Sequence, residues 1–159
     1  MFGIKAKKLT KRFNSYVAVD QLDFNVDEGE IFGLLGPNGA GKTTTLRMLA
    51  CIVSPTEGSA EVGGYDIILN PVDVRRSVGI VTENPSLYER LSPMENLEFF
   101  GQAYGVKDDE RLKDRIRELL DFFGLWKRRN ERVGVFSRGM KQKLAIARAL
   151  VHNPSMLFL

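Results

Sequence analysis

Eight residues, GPNGAGKT at 36–43, place three glycines, a lysine and a threonine at a spacing that suits one kind of ligand, a polyphosphate. To wrap phosphate oxygens, successive backbone N–H groups must converge on them, and side chains obstruct that approach. Gly36, Gly39 and Gly41 remove the Cβ atoms that would intrude or forbid the required dihedrals. Pro37, Asn38 and Ala40 fill the remaining loop positions, and Thr44 opens the stretch that follows. Lys42 is spaced to reach β- and γ-phosphates, and the Thr43 hydroxyl to ligate Mg²⁺. If a helix starts here, its positive end meets the anion.

That chemistry needs a strand before the loop and a helix after it. IFGLL at 31–35 is a continuous apolar run, which predicts a strand buried on both faces. TTLRMLACIV predicts a helix closed by Ser54-Pro55, with Cys51 inside it as a small buried hydrophobe rather than a reactive thiol. Upstream, QLDFNVDEGEI sets Leu22, Phe24 and Val26 on one face and turns at Asp27-Glu28-Gly29. This predicts antiparallel strands with one wet face. A hairpin is expected at Gly63-Gly64, a core strand at 77–81, and a further buried strand at 156–159.

From residue 92 the periodicity turns helical. SPME offers Ser92 as N-cap, Pro93 at the first helical position and Glu95 to close a capping box. DDERLKDRIRELLDFFG aligns Leu112, Ile116, Leu119, Leu120 and Phe123 on one face, with Gly124 placed to end the helix. FSRGMKQKLAIARALVHNP reads as a helix from Ser137 that stops before Pro154. The coarse expectation is an α/β layer with a helical insertion at about 84–136.

The 159 residues fit one domain, and 43% apolar with 27% charged residues is a soluble globular balance. No apolar run approaches the ~20 residues of a membrane span. MFGIKAKKLT lacks the core of a secretory signal, so a cytoplasmic location is expected. A single cysteine excludes an internal disulfide. The net charge of +3 is scattered; KRRNER at 127–132 is its densest cluster and reads as a solvated face, and no nucleic acid partner is expected.

SRGMKQKLAIARAL at 137–150, downstream of the phosphate loop, resembles the signature motif of ATP-binding-cassette (ABC) ATPases. Along its length the chain is similar to the nucleotide-binding subunits of ABC transporters, most of all the exporter branch with separate permeases. The resemblance implies a P-loop NTPase core with an amino-terminal antiparallel β-subdomain and an inserted helical subdomain. The expected divisions are a β-subdomain with P-loop core at 1–83, a helical subdomain at 84–151 and a Walker B strand at 152–159. It implies ATP and Mg²⁺ as ligands, with Ser137, Gly139 and Gln142 contacting ATP held in a second cassette of a head-to-tail dimer. LTKRFNSYVAVD resembles the adenine-contacting segment, with Phe13 against the base, Tyr16 as the fallback, and Val17 and Ala18 on the ribose side. The stretch 77–100 resembles the segment that couples the nucleotide to an integral membrane permease, with Glu83 where the family usually has Gln. Lys42 and Glu83 are thereby the catalytic candidates, and Thr43 and Glu83 the metal ligands. His152 does not match the family's switch histidine and reads as a helix-end cap; Trp126 reads as packing. By the same resemblance the cassette stops one residue short of its Asp-Glu pair, and the complete protein lies on the inner face of the cell membrane. A soluble ABC ATPase of translation or DNA repair, and a nucleotide-binding fragment without catalysis, are the alternatives.

Overall fold

The computed structural model describes residues 2–82 and 86–159. Glu83, with its expected metal and catalytic roles, lies outside the described residues. The chain divides into two compact units, Met1–Ser77 and Val78–Leu159.

The first unit is built on a four-stranded antiparallel sheet in the order β2-β1-β3-β4. Strands β1 (Phe2–Phe13) and β2 (Tyr16–Asp27) form a hairpin whose closing pair is Phe13↔Tyr16. The two-residue connection holds Asn14 at φ 51°, a left-handed conformation that asparagine tolerates well. Four register shifts interrupt the long hairpin, and the buried Thr10 hydroxyl bridges the irregular stretch by accepting from Gln21 N–H and donating to the Lys8 carbonyl. Strands β3 (Glu57–Val62) and β4 (Tyr65–Asp66) turn at Gly63-Gly64, as the sequence predicts. Ile4, Ala6, Val26, Ala60 and Val62 are buried, and helix α1 (Lys42–Leu49), which packs on β2 and β3, buries Met48 and Leu49. A short helix, α2 (Pro71–Ser77), follows.

Two expectations fail in this unit. The run 31–35 belongs to neither sheet; Ile31 is 100% and Leu35 95% exposed. An apolar run becomes a doubly buried strand only when strands flank it, and among the described residues none pairs with this one. Phe32 instead stacks on Phe24, ring centroids 5.4 Å apart. Helix α1 also ends at Leu49, well before Ser54. Cys51 is left-handed (φ 55°), and Ile52 N–H and Val53 N–H both turn back to the Arg47 carbonyl, a C-terminal closure that consumes the orphan acceptor. Cys51 is only partly buried; its Sγ–H donates to the Ile67 carbonyl, and burial pushes the thiol pKa up, which keeps it inert.

In the second unit, β5 (Val78–Ile80) and β6 (Met156–Phe158) form a parallel pair in the register Val78↔Met156. Helices α3 (Pro93–Ala103), α4 (Asp109–Phe122) and α5 (Arg138–Leu150) pack around Leu97, Leu112, Ile116, Leu120 and Leu144. The Ser92/Glu95 capping box forms in full, and hydrogen bonds from Ser92 hold the Glu95 carboxyl below its usual pKa. The α4 stripe is buried at Leu112, Ile116, Leu119 and Leu120, with Phe123 partly so, and Gly124 (φ 69°) follows the cap. Strand β6 is not the fully buried strand its composition suggests. With one neighbouring strand it buries Phe158 and leaves Leu157 exposed.

Candidate nucleotide site

The phosphate loop closes on itself through its own lysine. Lys42 Nζ donates to the carbonyls of Gly36 (2.6 Å) and Pro37 (2.8 Å), and Ala40 N–H donates to Pro37 (3.2 Å). An ammonium has three N–H donors, so one remains for a phosphate oxygen. The first helical bond of α1 runs from Thr45 N–H to the Gly41 carbonyl, which leaves the amides of Lys42, Thr43 and Thr44 without a helical acceptor. No acidic residue stands in the first turn to oppose an anion. Gly41 caps the helix at φ 84°, and a Cβ there would stand 2.3 Å from the Ala18 carbonyl oxygen. Only glycine lets the loop lie that close to β2. Gly39 (φ 86°) has open space where its Cβ would be, and the Asn38 and Thr43 side chains are exposed. The glycine positions thus form an open backbone cradle at the head of a helix, the form that fits phosphate and its Mg²⁺.

Beside the loop stands the hairpin tip. Phe13 (46% exposed) and Tyr16 (57%) are directly opposed across β1 and β2, so their rings share a face. Tyr16 Oη lies 3.5 Å from the Gly39 carbonyl, a long hydrogen bond that ties this ring to the loop. Lys11 Nζ covers the Phe13 ring at 5.0 Å. Val17 is exposed next to them. The hairpin brings the two expected aromatics together, and it is Tyr16 that contacts the phosphate loop.

In the second unit Ser137 caps α5, its Oγ accepting from Met140 N–H at 3.3 Å. Ser137, Gly139 and Gln142 are all exposed, and a Cβ on Gly139 would meet nothing within 4 Å among the described residues. Hydroxyl, helix-end amides and a bare glycine therefore share one open end of α5, free to approach an anion from outside the chain.

A family model described as "ABC transporter" matches residues 19–159. The chain belongs to the ABC transporter family. Among its relatives, the ABC transporter ATP-binding protein NatA of Bacillus subtilis (strain 168) is 43% identical, the match covering 88% of this chain and 57% of NatA. The bacitracin transport ATP-binding protein BcrA of Bacillus licheniformis is 43% identical over 98% of this chain and 50% of its own. This ABC chain thus spans about half the length of the curated relatives it matches. A dimeric ATP-binding cassette solved in a post-hydrolysis state with ADP and Pi superposes with a TM-score of 0.83 at 29% identity, covering 97% of this chain and 72% of that one. The matched family segment begins at residue 19, so Phe13, Tyr16 and Val17 precede it.

Sequence reasoning missed one organising residue in this ABC cassette. Asn96 is fully buried; its Oδ1 accepts from Tyr88 N–H (2.9 Å), and its Nδ2 donates to the carbonyls of Tyr88 (3.0 Å) and Ser92 (2.9 Å). An asparagine between Glu95 and Leu97 on an apolar helix is the only signal, and it does not say which backbone is held. His152 is more than a helix-end cap. Its ring stacks on Tyr104 and bonds the Val78 carbonyl, which joins the ends of α3 and α5 to the start of β5. Trp126 packs on the helical core, with the guanidiniums of Arg117 and Arg129 over its ring at 5.4 and 4.4 Å.

Proposed function

We propose that this chain is the nucleotide-binding part of a transporter subunit that binds and hydrolyses ATP to drive export. The observation that carries the reading is the phosphate loop, with its glycine cradle, free first-turn amides and partly committed lysine, in a chain of the ABC family. ATP-binding subunits of this family are ATPases in general, and BcrA bears a transport name. The P-loop amides and Lys42 would bind and orient the phosphates, and the Thr43 hydroxyl, exposed at the head of α1, would hold Mg²⁺. Bound Mg²⁺ supplies neutralisation of developing charge on the phosphate oxygens. Phe13 or Tyr16 would stack on the base, an interaction of about 1–3 kcal/mol, and Glu83 would be the group to tune the metal and the attacking water.

Two copies pair head to tail, so that Ser137, Gly139 and Gln142 of one face the ATP held by the other. The exposed donors of α5 and the dimeric ADP- and Pi-bound relative support that arrangement. The region 83–105 meets a permease, which places the cassette on the inner face of the membrane. Among the described residues no helix is long and apolar enough to cross a membrane.

The test is Gly139→Asp in the full-length protein. Its site is open, so the fold is unaffected, and ATP still binds the monomer. Hydrolysis should be suppressed, because a carboxylate then faces the opposing γ-phosphate. Normal turnover would sink the sandwich.

A further inference from the structure

Glu89 brackets the start of α5. Its carbonyl accepts from Gly134 N–H at 2.8 Å, three residues before Ser137, and its carboxylate meets Lys141 Nζ at 2.5 Å, four residues after it. Leu91 accepts from Val133 N–H at 3.0 Å, so the stretches 89–91 and 133–134 are laddered by two backbone bonds. Gly134 permits that contact: a Cβ there would sit 3.2 Å from the Glu89 oxygen. On the other side, Lys141 N–H donates to the Ser137 carbonyl at 2.9 Å, which couples the lysine to the capping serine. The Glu89 stretch is itself fixed, by Asn96 at Tyr88 and by Arg148 Nη1 on the Ser86 carbonyl at 2.6 Å.

We propose that Glu89 and Lys141 are a positioning pair that sets the direction of the Ser137–Gly139 turn, and so the aim of its donors at a nucleotide on a second chain. The inference rests on the reading that this turn completes such a site. Two properties of the pair support it. Its carboxylate is largely exposed, and surface pairs of this kind add little to folding. Yet it is the side-chain link from the fixed 86–92 stretch to the first turn of α5, where a displacement of about 1 Å is enough to weaken transition-state contacts severely. A group of little consequence for stability therefore acts on catalytic geometry. Whatever grips residues 86–92 is also joined to the signature turn through it.

The test uses the full-length protein with Glu89→Gln, Lys141→Met and the double variant. The expected result is a fall in kcat of about two- to fivefold for each single change. KM for ATP, ATP affinity and the thermal midpoint should stay at wild-type values, and the double variant should be no slower than the slower single. Unchanged kcat overturns the proposal. So does a loss that tracks a lowered thermal midpoint, and so do additive effects, which would mean that the lysine acts on phosphate independently of Glu89. Gly139→Asp run in parallel separates the two levels. If it retains turnover, the signature reading fails; if it abolishes turnover while the pair is silent, the positioning role alone fails.

Discussion

The His152 imidazole lies flat on the Tyr104 ring, centroids 3.9 Å apart and planes 7° from parallel. Nε2 faces the Val78 carbonyl at 3.2 Å and must carry the proton to donate to it, while Nδ1 is buried with no hydrogen-bond partner among the described residues. Burial pushes the pKa below the usual imidazole value, more than the Val78 carbonyl raises it. The unfolded chain, titrating at about 6.5, therefore takes up the proton first. Stability should be level above that value and decline as pH falls through it toward the folded-state pKa. His152→Phe keeps a ring on Tyr104 and should flatten the slope. Thermal midpoints measured between pH 5 and 8 check this, and a wild-type profile without a decline would refute it.

Gly41→Ala should cost more than a helix-start alanine ordinarily does. The new methyl meets the Ala18 carbonyl at 2.3 Å, in a left-handed conformation that disfavours L-residues by about 1–2 kcal/mol before any clash. Either β2 or the loop must shift, so a lower thermal midpoint should accompany loss of ATP binding. Calorimetric titration and melting of the same sample give both readings.

Lys42→Ala removes one charge-assisted contact to phosphate and two bonds that close the loop. A hydrogen bond to a charged group contributes about 1.5–3 kcal/mol, so ATP affinity should drop by roughly tenfold or more. Equal affinities by titration calorimetry would remove the phosphate loop from the site.

Asn96→Ala leaves Tyr88 N–H and two carbonyls without the partner that holds them in a fully buried place. Each buried group so orphaned costs about 1–3 kcal/mol, and a large fall in thermal midpoint is expected. Asn96→Asp keeps the acceptor for Tyr88 N–H and loses the two donors, so it should be no better than the alanine. A melting curve decides both.

What the sequence disclosed was local. Ser92 and Glu95 are three residues apart and close their own capping box, and the apolar stripe from Leu112 to Phe123 fixes one face of α4 without outside help. Glycines at 36, 39 and 41 announce a cradle because their lack of Cβ is a backbone property. Failures came where the answer depends on distant partners. Ile31 to Leu35 read as a core strand, but pairing requires a neighbour that the run cannot supply. Glu89 and Lys141, or Asn96 and Tyr88, meet only after the helices pack, and nothing in their spacing foretells it.

The bonds from Lys42 to Gly36 and Pro37 bear on release as much as on capture. With two carbonyls already on the ammonium, an arriving phosphate needs only the third N–H, and the two loop bonds need not break for it to enter or leave. Such a ligand exchange has little reorganisation at either end. Under the proposed ATPase cycle, a lysine with a resting place of its own would combine tight grip and prompt discharge in the same site.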